Sequence, residues 1–294
     1  LDVARSGFFA TERMGPVTND IFQLTRQFLR DGHEVTTVDV RAEAPRTLLP
    51  PDLRLVEVQG WSPVGARARR NRARTRLGRA ARRLHLAGQH RRNQARFVRS
   101  MGRALSLDRF DIVHVHAWGL AYLIQTLLGH RVVYTAHTPN WAGRWCDDRL
   151  THRLWRTLHK HLPHEIRAIR GARATVALGD YLPRLLPDSR IEVIPNGTDP
   201  ALWRRMDQAA ARAALGYRRD EFLVYFVGRI CPIKGVHTLL DAVAMADIPG
   251  LRLKIMGSAG GGFNADSEPT QYARSVMARS ENLPVEFLGF ISNR

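Results

Sequence analysis

The chain has 294 residues, 44% hydrophobic and 8% aromatic, enough to bury one large core or two ordinary ones. No run of about 18 apolar residues occurs, so no transmembrane helix is expected. Two cysteines, Cys146 and Cys231, supply no disulfide framework and suit a reducing compartment, and a net charge of +18 attracts phosphate, whether on nucleic acid, on anionic lipid or on a nucleotide.

In chain order, Ile21, Leu24, Phe28 and Leu29 make one helical face, closed by Gly32 at a C-cap position. Val35 to Val40 reads as a strand and Leu55 to Val58 as another. Between Glu57 and Asp108 there are fourteen arginines and no acidic residue. This block carries Leu77, Leu84, Leu86, Phe97, Val98, Met101 and Leu105, so it reads as ordered amphipathic helix, broken near Gly88. Ile112 to His116, Val132 to Ala136, Thr175 to Leu178 and Ile191 to Ile194 are short β-rich runs separated by helical patterns. Such βα repetition implies a mostly parallel sheet covered on both faces. Pro195 to Pro200 is a cluster of breakers, and Ala201 to Gly216 is not core-like. A second βα series follows at Phe222 to Val227, Leu251 to Met256 and Val285 to Leu288. Domains are therefore expected over 1–198 and 199–294, with the second incomplete and the true start upstream of Leu1.

The Phe222–Val236 stretch carries the sharpest chemistry. A β-forming run ends at Gly228, Arg229 follows, and Lys234-Gly235 opens a helix with Val236, Leu239, Leu240 and Val243 on one side. A strand feeding a helix N-terminus points backbone N–H groups at one spot, and two cations beside it suit a pyrophosphate. Only Lys160, Lys234 and Lys254 are lysines among 45 basic residues, so a lysine at this place is not background.

Several motifs align in order with one family. They are Gly15-Pro-Val-Thr18, Asp31-Gly-His-Glu-Val35, Asp111-Ile-Val-His-Val-His116, Val133-Tyr-Thr-Ala-His-Thr138 and Ile191-Glu-Val-Ile-Pro-Asn-Gly-Thr-Asp199. Val227-Gly-Arg229 with Lys234-Gly235, Leu253-Lys-Ile-Met-Gly257 and Val285-Glu-Phe-Leu-Gly289 continue the series. The chain resembles the GT4-type retaining glycosyltransferases of the GT-B fold. That resemblance implies two Rossmann-like domains facing a cleft, the C-terminal one truncated here. It implies a nucleotide-sugar donor as substrate, no cofactor, no metal, and transfer with retained anomeric configuration.

The resemblance also implies roles. Arg229 and Lys234, with Gly228 and Gly15, match the donor-diphosphate site, and His137 matches the catalytic histidine that touches the donor sugar. Gly257, Gly289, Phe290 and Ile291 fall in the nucleotide and base region, and Thr18 and His116 near the acceptor loop. Two departures stand out. Proline follows Gly15 where many relatives have a second glycine, and proline has no N–H to donate. The family's Glu-x7-Glu is absent before Arg294; Glu12 with Asp20 has the spacing, but Asp20 is better read as a helix N-terminal charge. No Asp-x-Asp follows a strand. His114 and His116 alternate on a strand, which sends them to opposite faces and prevents joint chelation.

The acceptor is expected to be a sugar, a small molecule or a lipid-linked group, the last because the basic stretch Arg67–Arg103 could meet an anionic membrane surface. A cytoplasmic protein, peripheral on the inner face of the plasma membrane, is the expected setting. The alternative is a non-catalytic basic protein of the same fold that binds anionic membrane or nucleic acid. Against nucleic acid, only Trp61 and Phe97 lie within or beside the arginine block to stack on bases.

Overall fold

A computed structural model describes residues 2–3, 16–39, 51–58, 92–137, 162–198, 200, 203–260 and 268–291. They fall into two compact units, one up to Gly197 and one from Thr198 onward.

The first unit is a seven-stranded parallel sheet: β1 (Asp2–Val3), β2 (Thr36–Asp39), β3 (Arg54–Glu57), β4 (His114–Val115), β5 (Val133–Ala136), β6 (Ala174–Ala177) and β7 (Ile191–Val193). Their order is β3-β2-β1-β4-β5-β6-β7. The order reverses direction between β1 and β4, the place where open α/β sheets leave a crevice at the carboxyl ends of the strands. The Pro16–Arg30 helix carries the chain from β1 to β2. Its end is a Schellman motif: Gly32 takes φ 85°, its N–H donates to Leu29 O, and His33 N–H donates to Phe28 O.

Val38, Val115, Tyr134 and Ala136 from the strands, and Val113 just before β4, are buried with Leu120, Ala121 and Ile124 of the Trp118–Leu128 helix. The helix over residues 92–104 adds Phe97, Val98 and Met101, and Leu105 follows. The apolar residues of this part of the arginine block are therefore core, while Arg92, Arg96, Arg99 and Arg103 are exposed. Arg67 to Arg91 and the break near Gly88 lie outside the described residues. No helix among the described residues is long and apolar enough to cross a membrane.

The second unit holds β8 (Phe222–Val227), β9 (Leu251–Met256) and β10 (Val285–Gly289), parallel, in the order β10-β9-β8. The Val236–Met245 and Gln271–Arg279 helices connect them. The second helix starts cleanly because Thr270 Oγ1 accepts the Ala273 N–H. Val224, Phe226, Leu253, Ile255, Val285 and Phe287 pack with Val236, Leu240, Val243, Ala273 and Val276.

Among the described residues of this unit, the helices cover one face of the sheet. Tyr225 and Val227 point the other way and are exposed. Two successive right-handed crossovers running from β8 to β10 place both helices on one face. The open face alternates accordingly to charge, with Lys254 ion-paired to Glu286 across the strands and its Nζ 5.3 Å from the Tyr217 ring centroid. The Gln208–Ala214 helix that precedes β8 buries none of its residues, in line with its polar, alanine-rich sequence.

Candidate functional site

Two groups of side chains stand at the carboxyl ends of strands, one in each unit. In the first unit, β4 is only two residues long, and the chain bends at His116 immediately after it. The strand alternation expected to send His114 and His116 to opposite faces stops at Val115, and the two rings instead lie 4.2 Å apart. His114 Nε2 is 2.7 Å from Thr135 Oγ1 on the neighbouring strand. His137, one residue beyond β5, shares a hydrogen bond with His116: Nε2 of the former is 2.9 Å from Nδ1 of the latter, with the rings stacked. Only one of the two nitrogens carries the proton, so the pair is held in complementary tautomers.

Asp20 completes the group. It is not in the first turn of the Pro16–Arg30 helix, which holds no acidic residue, so it is not the terminal dipole charge that the sequence suggests. It lies in the second turn beside the buried stripe of Ile21 and Thr25, and its Oδ2 is 3.8 Å from His137 Nε2. Asp20, His116 and His137 each bring a ligand atom within 4.8 Å of the others. The sequence signal for Asp20 was its place next to Ile21 and four residues before Leu24, on the flank of the apolar face. Burial pushes the His137 imidazole down to about 4, and the neighbouring His116 adds to the effect. His137 is therefore neutral at physiological pH and acts as a hydrogen-bonding group rather than a cation. Thr18 lies in the same helix, one turn before Ile21, and Gly15 lies outside the described residues.

In the second unit, Gly228 and Gly257 follow directly on β8 and β9. Gly228 N–H donates to Met256 O and Ile230 N–H donates to Ser258 O, which ties the two strand exits together. A Cβ on Gly257 would lie 1.9 Å from Gly228 O, so only glycine permits this crossing. Gly257 N–H in turn donates to Gly289 O at the end of β10. Lys234 does not open the helix as its sequence suggested. It closes a 3-10 turn over Pro232–Lys234, after which Gly235, at φ 66°, turns the chain into the Val236–Met245 helix. That turn folds the Lys234 stem back until its Cδ is 4.0 Å from the point a Gly228 Cβ would occupy. Arg229 is exposed directly after Gly228. The strand-exit N–H groups of Gly228 and Ile230 are thus already used, and the His237 N–H meets Tyr272 Oη at 3.3 Å. The side chains of Arg229 and Lys234, more than these amides, are what the place offers an anion.

Beside the glycine crossing opens a cavity of about 280 Å³ lined by Ile230, Gly257, Ser258, Phe287, Gly289 and Phe290, among others. Three of the four residues assigned to the nucleotide region therefore share one cavity. The fourth, Ile291, is 54% exposed and is not among its lining residues.

The profile of Glycosyltransferase Family 4 matches residues 17–202. A D-inositol 3-phosphate glycosyltransferase from Segniliparus rotundus is 34% identical over 200 residues, which is 60% of this chain and 40% of that protein. The chain thus spans less than half the length of this curated relative. In fold it is similar to sucrose-phosphate synthase from Thermosynechococcus elongatus, with a TM-score of 0.69 and 19% identity over 99% of this chain and 70% of that one. It is also similar to Anabaena HepE, solved in complex with UDP-glucose, with a TM-score of 0.61 and 17% identity over 99% and 68% of the two chains.

Proposed function

The chain belongs to glycosyltransferase family 4 and has the GT-B fold, and we propose that it moves a sugar from a nucleotide-sugar donor to an acceptor, retaining the anomeric configuration and needing no metal for transfer. The observation that carries the donor half of this reading is the glycine crossing. Gly257 passes against Gly228, the Lys234 stem folds over Gly228, and a cavity opens alongside. The cavity would take the nucleoside, and Arg229 and Lys234 the diphosphate.

Charge grows on the diphosphate as the glycosidic bond breaks. Fixed cations there stabilise the transition state more than the ground state, which is what catalysis requires. His137, neutral and oriented by His116, can accept from or donate to a hydroxyl of the transferred sugar. The name of the Segniliparus relative favours a small phosphorylated polyol over a lipid-linked acceptor.

Titration calorimetry with UDP, ADP and GDP in the presence of a chelator tests the donor site. We expect at least one to bind without metal. Lys234→Ala or Arg229→Ala should weaken it by about 10- to 100-fold, since a hydrogen bond to a charged group contributes about 1.5–3 kcal/mol. Unchanged affinity in both variants would remove these residues from the site. Restoration of binding only by manganese would overturn metal independence.

A further inference from the structure

Asp20, His116 and His137 come from three separate stretches, none near another in sequence, yet they converge on one point at the switch between β1 and β4. Their side chains are confined: His116 is 8% exposed, and the side chains of His137 and Asp20 are 8% and 16% exposed. Confined side chains on strand ends and a helix have few alternative rotamers, so the three groups are gathered before any ligand arrives.

We propose that Asp20, His116 and His137 form a binding site for a borderline-soft divalent cation of the Zn2+ or Co2+ class. Two imidazole nitrogens and a carboxylate oxygen are the ligand set of three-coordinate protein zinc sites that keep a fourth position open. Bonds of about 2.0–2.2 Å in a tetrahedron place ligand atoms about 3.4 Å apart. Here the measured separations are 2.9 Å between the imidazole nitrogens and 3.8 Å from His137 Nε2 to Asp20 Oδ2, one below and one above that value. For these two pairs the difference is about half an ångström, and the third pair, Asp20 with His116, lies within 4.8 Å. The ring hydrogen bond must give way: the proton between Nδ1 and Nε2 moves to the far nitrogen of its own ring, so both facing lone pairs turn to the cation and no net proton is lost. His114, in ring contact with His116 and bonded to Thr135, braces His116.

Imidazole favours Zn2+, Co2+, Ni2+ and Cu2+ over Mg2+, which holds its waters and prefers an all-oxygen shell. The cation is not a participant in transfer. While it is bound, His137 Nε2 has no lone pair for a sugar hydroxyl, so metal and sugar are alternatives at this point. The inference rests on the geometry of the first unit alone and survives or falls apart from the donor site of the second.

The experiment is direct binding to the metal-stripped chain. Calorimetry with zinc chloride should show one equivalent bound, and cobalt chloride should give the intense visible absorption of a tetrahedral site, while magnesium chloride should give neither. Asp20→Asn and His116→Gln should each weaken zinc by tenfold or more and remove or shift the cobalt bands. Circular dichroism verifies that each variant is folded, and His137→Gln replaces either one that is not. Absence of zinc heat and cobalt bands in the unaltered chain would overturn the proposal. So would zinc binding that is the same in every folded variant.

Discussion

His137 is buried against a histidine neighbour, and its charge state couples pH to stability. Its folded value of about 4 lies below the ordinary 6.5, because burial disfavours the charged ring and His116 adds to this. As pH falls below about 6.5 the unfolded chain takes up a proton that the folded chain refuses until about pH 4. The unfolded state therefore binds more protons in this window, and stability drops as pH falls through it. The drop attributable to His137 is roughly 3 kcal/mol, at 1.36 kcal/mol per pKa unit. Urea unfolding at about pH 7 and about pH 4.5 should show a loss that His137→Gln reduces by about 2.5 kcal/mol, the part of the drop completed by the lower pH. An identical loss in the variant would show that other groups carry the acid sensitivity.

At the scale of elements, the glycine crossing of β8 and β9 makes the sharpest demand on sequence. Gly257 sits at φ 148° with the Gly228 carbonyl where its Cβ would be. Gly257→Ala forces one of the two strand exits to move, and the Gly228, Met256, Gly289 and Ser258 backbone bonds move with it. We expect a loss of about 1–3 kcal/mol in stability, the range for forcing backbone shifts in packed structure, and a weaker nucleoside diphosphate complex. Gly129→Ala has open space around it, so it costs only the strain of its left-handed φ of 66° and should leave nucleotide binding unchanged. Equal nucleotide binding in Gly257→Ala and the unaltered chain would show that the crossing does not shape the site.

Elements with enough residues to display a period were legible in the sequence. The Pro16–Arg30 helix shows its apolar stripe and its Gly32 stop, β8 is a six-residue apolar run, and β9 alternates apolar residues with Arg252 and Lys254. β1 was not legible, although it is central to the sheet. Two residues, Asp2 and Val3, cannot display a period, and their strand character comes from pairing with β2 and β4 on both sides. The same shortness in β4 misplaces His116, since alternation requires a strand that continues. The candidate site divides in the same way. Gly228, Gly257, Gly289 and Phe290 gather because consecutive strand ends must lie side by side. Asp20 meets His137 across more than a hundred residues of sequence, and no local pattern reports such a contact.

For the whole molecule, charge is the feature that folding leaves unexplained. Fourteen of the arginines behind the +18 lie in one acid-free stretch. Its described end presents Arg92, Arg96, Arg99 and Arg103 on the exposed side of one helix, at spacings of four, three and four. Like charges at these spacings repel by a few tenths of a kcal/mol per pair, so the stripe costs stability and requires a use or a tolerance elsewhere. We propose contact with an anionic membrane surface, and the packing fixes its type. Phe97, Val98, Met101 and Leu105 are committed to the core, so this helix has no apolar face to insert between lipids. Its contribution is electrostatic alone, on the order of 1 kcal/mol per cation near the surface and screened within about 10 Å at 0.1 M salt. In co-sedimentation with liposomes, the chain should bind vesicles containing phosphatidylglycerol and leave pure phosphatidylcholine vesicles bare. Replacing Arg92, Arg96, Arg99 and Arg103 with Gln should weaken binding, and about 0.5 M salt should release the chain completely, as no buried apolar contact remains to hold it. Binding to neutral vesicles, or binding that survives salt, would mean that an apolar surface elsewhere in the chain does the anchoring. Absence of binding to anionic vesicles would leave the stripe a solvated face.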